Sequence, residues 1–527
     1  MNSIRHKDLT LVLGPPGTGK TTTLLNMVSE ELADGTAPED IIFVSFTRAA
    51  AYEARDRACA KFRMEESKFP WFRTLHSMCY KSLGLKQGRL FSGEHAIEFG
   101  KKVGQFIDAS SFSNDSGMAC ANTNALGTVM LHIDNLSRTM MISLKEAWQH
   151  SLNTNVPLLL LNQFSDDYYN YKCNEGVYDF TDVLHYFSQE GEAPHSKVLF
   201  VDEAQDLSRL QWAVVEKLMA RSDKVILAGD DDQAIYEWSG ADVDTFLSLN
   251  PTRTIQLDQS HRLPLGVWQM ADSVARRIHR RYNKSWQPRS YEEGGDIEYV
   301  TGYNQLSELL RTGNWLVLAR NRVFLRDIED IFMAAGYSFS VRGGGGELDK
   351  PELKIILNWE RFRKGEFLTP KQIREIYSLM RTGPEVARGH KTCPRMEDSK
   401  KYSITQCCED HGLRTVDVWY KALSRLNDED REYYLSLLRN ENESLSEPRI
   451  QLSTIHQAKG LEADNVLLVT DMSTRTARGM EVNMDAEHRV WYVAVSRAKE
   501  KLYILVPQTV NSYPLPYFKG DKHERIA

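Results

Sequence analysis

The chain has 527 residues, 42% of them hydrophobic and 26% charged, and its 65 basic and 72 acidic side chains leave a net charge of −7. That is too long for one core and ordinary in composition, which predicts several globular domains and excludes a disordered or fibrous chain. Seven cysteines, scattered except for Cys407-Cys408 and with no C-x-x-C pair, read as reduced thiols and not as a disulfide frame or zinc site. No apolar run approaches the length of a membrane span, and the charged start Met1–Lys7 leaves no room for a secretory leader. No membrane association and a cytoplasmic location are therefore expected. The negative total does not speak against an anionic partner, since a local basic groove decides that.

The first element is the apolar run Leu9–Leu13, a buried strand. It feeds Gly14-Pro15-Pro16-Gly17-Thr18-Gly19-Lys20-Thr21, and a helical stretch follows from Thr21 to Leu25. Such a turn aims backbone N–H groups and a helix N-terminus at one point, which makes an anion site. Lys20 can reach the β- and γ-phosphates of a nucleotide, and the Thr21 hydroxyl can ligate Mg²⁺. A plain glycine turn would leave both residues unexplained, so the chain is expected to bind and hydrolyse a nucleoside triphosphate.

Ile41–Phe46 is the next strand. From Leu85 to Tyr178 the pattern is helical and polar, an insertion with no clear strand. The strand Val198–Val201 ends in Asp202-Glu203-Ala204-Gln205-Asp206. An aspartate there can hold the Mg²⁺ shell, and the adjacent glutamate can orient and deprotonate the attacking water. The strand Val225–Ala228 runs into Gly229-Asp230-Asp231-Asp232-Gln233-Ala234-Ile235-Tyr236-Glu237-Trp238-Ser239-Gly240. Gln233 can hydrogen-bond the γ-phosphate or its water. Tyr236 and Trp238 read either as core aromatics or as a platform for stacking bases.

A second set of strands is expected at Trp315–Ala319, Ile450–Ile455, Val466–Thr470 and Leu502–Val506. Two sets of parallel-type strands point to two α/β lobes. Gly343–Gly346 is expected to be a hinge or linker opening a second helical, charged stretch that runs to Pro448, and Lys519–Ala527 a loose tail. Stabilising a transferring phosphoryl needs positive groups. Arg262 in Gln259-Ser260-His261-Arg262 and Arg497 in Val495-Ser496-Arg497-Ala498 are the candidates.

The ordered set of motifs resembles that of superfamily 1A DNA helicases of the UvrD/PcrA/Rep-like group. The resemblance runs from Gly14 to Lys501. Beyond the segments above it takes in Ser45-Phe46-Thr47-Arg48-Ala49-Ala50, Thr74-Leu75-His76-Ser77, Tyr178-Asp179-Phe180-Thr181-Asp182-Val183-Leu184, Leu257 to Arg262, Ser453 to Glu462 and Tyr492 to Ala498. It implies two RecA-like P-loop lobes with parallel sheets, each with a mainly helical insertion. Lobe 1A would be 1–85 and 179–260, insertion 1B 86–178, lobe 2A 261–343 and 449–527, and insertion 2B 344–448. It implies an ATP and Mg²⁺ site with Gly14, Pro15, Pro16, Gly17, Thr18, Gly19, Lys20, Thr21 and Thr22 around the phosphates. Thr21 and Asp202 would hold the metal, with Glu203 and Gln233 at the attacking water. Arg262 and Arg497 would be the arginine fingers, and Glu462 would touch the ribose. Phe46, Thr47, Arg48, Thr74, His76, Tyr236, Trp238 and His456 would line a single-stranded DNA track, and in this context stacking is the better reading of Trp238. Implied too are 3′→5′ travel, action at duplex junctions, replication or repair partners, an apo monomer, and a place near the nucleoid of a bacterial or phage-infected cell.

Four features depart from the family. Met1–Asp8 contains no glutamine to read the adenine edge, which predicts use of GTP as well as ATP. Ser239 stands where an arginine usually follows the tryptophan. Arg48-Ala49 replaces an asparagine-lysine pair. The short second insertion suggests a compact member such as a phage encodes. Two alternatives stay open: a 5′→3′ or RNA-acting motor of the same superfamily, and a nucleic-acid-stimulated NTPase that strips bound proteins with little unwinding.

Overall fold

The structure is a computed structural model that describes residues 4, 6–45, 48–86, 88–109, 125–151, 156–290, 295–343, 350–393, 395–440, 445 and 447–516, the side chains of 48–50 and 54 excepted. By its own contacts the chain forms two compact units, Met1–Glu292 with Asn483–Val493, and Glu293–Val482 with Ala494–Ala527. Residues 261–292 and 483–493, which the sequence reading gives to the second lobe, thus fall in the first unit.

The first unit is built on six strands, β1 (Leu9–Leu13), β2 (Ile41–Ser45), β3 (Phe72–Thr74), β4 (Ser196–Val201), β5 (Ser222–Gly229) and β6 (Arg253–Gln256). They pair in the order β3-β2-β4-β5-β1-β6, and every pairing is parallel. Helices on both faces bury the central strands, so side chains one residue apart enter different cores. Leu9, Leu11 and Leu13 pack with Ile42, Val44, Leu199 and Val201, whereas Val12 packs with Ile41, Phe43, Phe200 and Ile226. Residues 86–178 carry the helices Gly93–Lys102, Leu126–Met140, Leu144–His150 and Leu158–Glu175, and they pack around a separate core from Phe91 to Val177.

The second unit has β7 (Ile297–Val300), β8 (Trp315–Ala319), β9 (Phe339–Val341), β10 (Ile450–Thr454), β11 (Ala463–Val469) and β12 (Ala498–Leu505). Their order is β7-β12-β11-β8-β10-β9, again parallel throughout. Here the inserted helices share one core with a sheet face: Trp359, Ile376, Tyr377 and Tyr434 join Val317, Phe339, Leu452 and Leu467. The fold is therefore α/β with two P-loop-type parallel sheets, as the sequence implies. The sequence reading passes over four strands, β3, β6, β7 and β9, and each is a sheet edge.

Six cysteines in the described residues are free, and no helix there is long and apolar enough to cross a membrane. Phe200 is fully buried, with its ring 6.0 Å from that of Phe43, which stacks in turn on Phe72 at 5.5 Å. Phe200→Ala should cost about 3–5 kcal/mol of stability, read from chemical denaturation; a loss below about 1 kcal/mol would mean the core collapses to fill the space.

Candidate active site and nucleic-acid track

The β1 residues are all buried, and the loop that follows is tied at its root, where the Gly14 N–H donates to the Gly229 carbonyl at 3.2 Å. Gly17 and Gly19 have φ of 74° and 77°, in the left-handed region that favours glycine. The helix Lys20–Ala33 then starts on Gly19 with no side-chain cap and no acid in its first turn. Its N-terminal N–H groups and dipole are thus directed at whatever anion the loop holds. Lys20 Nζ donates to the Gly14 carbonyl at 2.9 Å, and a Cβ on Gly14 would come within 2.2 Å of the lysine stem.

The parallel order brings the ends of β4 and β5 beside this loop. Thr21 Oγ1 donates to Asp202 Oδ2 at 3.0 Å, which joins the two expected metal ligands. Burial, and then the charge of Glu203, push the Asp202 carboxyl up to about 6, against Lys20 and the Thr21 hydrogen bond. A hydroxyl and a carboxylate at this separation are hard oxygen donors suited to Mg²⁺, and a cation there would offset the burial and the Glu203 charge that raise Asp202. Glu203 is one of the non-glycine residues with positive φ, 54°, and its N–H donates to Asp202 Oδ1 at 2.9 Å. That conformation is costly and is kept where geometry matters. Gln233 Nε2 donates to Asp230 Oδ2 at 2.7 Å.

Arg262 reaches the loop from its other side. The Ser260 hydroxyl donates to the Pro16 carbonyl at 3.0 Å and the His261 N–H to the Gly17 carbonyl at 2.8 Å. A Cβ on Gly17 would fall 2.4 Å from Arg262 Cβ. Lys20, Thr21, Asp202, Glu203, Gln233 and Arg262 therefore gather within the first unit.

The remaining predicted residues have separate surroundings. Thr74 caps the helix Leu75–Ser82 by accepting from the Ser77 N–H at 3.3 Å. The His76 ring sits edge-on to Phe180 at 5.7 Å, and burial lowers it to about 4 although Asp179 opposes, so it is neutral. Trp238 lies in the short turn Glu237–Ser239, 47% exposed, with its ring 6.2 Å from that of His132. That exposure sets it apart from a core aromatic. Tyr236 begins the same turn and is half-buried. Phe46 and Thr47 lie outside the described residues, as does the side chain of Arg48.

In the second unit the start of β12 lies beside that of β11, where the Ala463 N–H donates to the Arg497 carbonyl at 3.2 Å. Arg497 is 2% exposed and donates to the Leu461 carbonyl at 3.3 Å and to Ser496 Oγ at 2.8 Å. Glu462, next in sequence to Leu461, is half-exposed, 3.9 Å from Lys499. His456 is held to about 3 by burial, and by Arg320 and Lys459.

Sequence reasoning missed the cations that let Asp230, Asp231 and Asp232 be buried. Lys284 and Arg281 bind these three carboxylates, and Arg489 donates to the Asp231 carbonyl at 2.9 Å and Glu237 Oε1 at 2.9 Å. The signal was present: three consecutive acids after a buried strand cannot be desolvated without cations from elsewhere.

Gly17→Ala, with a strained φ and a clash against Arg262, should weaken nucleotide binding by roughly tenfold, about 1.4 kcal/mol. A nucleotide titration checks this; unchanged affinity would mean that the loop yields.

The sequence model of the UvrD/REP helicase N-terminal domain matches residues 2–253, and that of the UvrD-like helicase C-terminal domain matches 369–509. The ATP-dependent DNA helicase PcrA of Bacillus subtilis is 23% identical, covering 94% of this chain and 80% of its own length. A probable DNA helicase II homolog of Rickettsia conorii is 22% identical over 96% of this chain and 92% of its own. Among solved structures, the arterivirus nonstructural protein 10 helicase aligns with 95% of this chain and 60% of its own at 12% identity and a TM-score of 0.34, too slight a likeness to argue from. Two domain matches in family order, on two parallel sheets with the nucleotide loop and its acids assembled, place this chain in the UvrD/PcrA-like family of superfamily 1A DNA helicases, ATP-hydrolysing enzymes.

Proposed function

We propose that the protein is an ATP- and Mg²⁺-dependent translocase on single-stranded DNA that travels 3′→5′ and separates strands at duplex junctions. One observation carries this reading. A single short segment holds Gln233, beside the nucleotide loop's acids, and five residues later the half-exposed Trp238. Loss of the γ-phosphate at Gln233 is thereby felt, through a few rigid backbone units, at a ring able to stack on a base.

In this reading the residues Gly14 to Thr22 cradle the phosphates and Thr21 with Asp202 holds Mg²⁺, which supplies positive charge against the phosphate oxygens. Lys20 and Arg262 grip the γ-phosphate, with Arg497 as the second lobe's contribution and Glu462 at the ribose. Glu203 takes the proton of the attacking water, and Gln233 orients it. ATP binding and hydrolysis drive motion of one lobe against the other, so that aromatic platforms hold and release bases in turn. Phe46, Thr47, Arg48, Thr74, His76, Tyr236, Trp238 and His456 are proposed to line the strand's path. Met1–Asp8 offers no glutamine, and the His6 ring nitrogens lie 3.0 Å from the Asp8 and Ser222 carbonyl oxygens, so GTP is proposed as a second substrate. The protein would work as a monomer before loading, in the company of replication or repair proteins.

Hydrolysis of ATP and of GTP by the full chain, with and without single-stranded DNA, tests the motor. DNA should raise turnover severalfold, and duplexes with a 3′ tail should be unwound in preference to those with a 5′ tail. Absence of stimulation by DNA would overturn the reading. Unwinding from a 5′ tail would reverse the polarity, and displacement of bound protein without unwinding would leave the protein-stripping alternative. Trp238→Ala should weaken strand binding by about 1–3 kcal/mol, measured by fluorescence anisotropy; wild-type affinity would remove Trp238 from the track.

A further inference from the structure

A cluster of buried charge lies one residue beyond β5 in the first unit. Asp230, Asp231 and Asp232 are each 0% exposed. Lys284, whose side chain is also wholly buried, places Nζ 2.6 Å from Asp230 Oδ1, 2.6 Å from Asp231 Oδ1 and 2.9 Å from Asp232 Oδ2. Arg281 forks Asp232 with Nε at 2.8 Å and Nη2 at 2.5 Å, and the Tyr282 N–H donates to Asp231 Oδ2 at 2.8 Å. Two cations thus serve three acids. Burial and its neighbours' charges outweigh Lys284 at Asp231 and raise it, whereas at Asp230 the Lys284 and Lys20 charges outweigh burial and hold it low. Lys284, 2.6 Å from Asp230 Oδ1, thus favours the charged form of Asp230.

Asp230 is also where the hydrolytic residues meet. Its Oδ2 accepts from Gln233 Nε2 at 2.7 Å. Its N–H donates to Gln205 Oε1 at 3.1 Å, and Gln205 Nε2 donates to Glu203 Oε2. A Cβ on Gly229 would come within 2.4 Å of Gln205 Oε1, so the path for that amide is closed on one side by backbone. An anionic carboxylate only accepts. It therefore selects the Nε2 end of the Gln233 amide and turns Oε1 away from itself, the end able to accept a hydrogen from water.

We propose that Lys284 is a positioning residue for nucleotide hydrolysis: by setting its charge against Asp230 it fixes the orientation of the Gln233 amide and, through Gln205, the seat of Glu203. This rests on the reading of Glu203 and Gln233 as the residues at the attacking water. Lys284 is buried and acts through Asp230.

The test uses the full chain with saturating single-stranded DNA and compares Lys284→Met, Asp230→Asn and the double variant with wild type. Expected is a fall in kcat of roughly 10- to 100-fold, the usual cost of losing a supporting partner, with KM for ATP within about twofold. The double variant should be no slower than the slower single one, because both changes break one line of contacts. Lost melting temperature with wild-type kcat per folded molecule, or effects that multiply in the double variant, would overturn the proposal and leave Lys284 a structural cation. Should Lys284→Met fail to fold, Asp230→Asn, which keeps the side-chain shape, decides alone: wild-type kcat overturns the proposal. Glu203→Gln and Gln233→Ala are run in parallel. If they hydrolyse ATP normally, the hydrolytic reading itself fails; if they are inactive while the Lys284 and Asp230 variants turn over normally, only the role of Lys284 falls.

Discussion

A parallel sheet sends the carboxyl ends of all its strands to one edge. In the first unit β4, β5 and β1 are neighbours, and that adjacency is the constraint on which the site depends. The residues just past each strand then meet without any further device: the glycine loop past β1, Asp202-Glu203 past β4, and Asp230 to Gln233 past β5. The contact of Thr21 with Asp202 spans 181 positions in sequence, yet follows from which strands lie next to which.

The same edge concentrates carboxylates in a buried place, and charge accounting governs what surrounds it. Isolated, such groups would protonate or draw in water. Lys284 and Arg281 supply most of the compensation, and Arg489 adds hydrogen bonds to the Asp231 carbonyl and to Glu237. These contacts tie residues 276–290 and the helical segment 483–493 to the first unit, the latter although both strands that flank it in sequence belong to the second. Broken pairs of this kind are expensive because they leave an uncompensated charge behind.

What the sequence revealed follows from burial. Central strands are covered on both faces, so they appear as continuous apolar runs, and those eight were legible. The edges are short and mixed: β3 is Phe-Arg-Thr, β6 Arg-Thr-Ile-Gln, β7 Ile-Glu-Tyr-Val and β9 Phe-Ser-Val. Each has one neighbour and more solvent, and no periodicity of two survives over three or four residues. The nucleotide loop and its acids were legible for a different reason, since each is a local string of residue types with one chemical use. Lys284 was not. Its partners lie 52 to 54 positions away, and a lysine in R-R-Y-N-K-S-W looks like any solvated one until the fold closes over it.

The two insertions differ in what holds them. The helices of 86–178 enclose a core of their own, whereas those following Gly343 complete the core of the sheet that carries them. A body with its own core can open and close as a cooperative unit while its host stays folded. The first insertion is thus a module, open to exchange between relatives as a block and to loosening without loss of the lobe. The second is part of the foundation: any change in its length or shape must be matched by residues such as Trp359 and Tyr434 that face the strands.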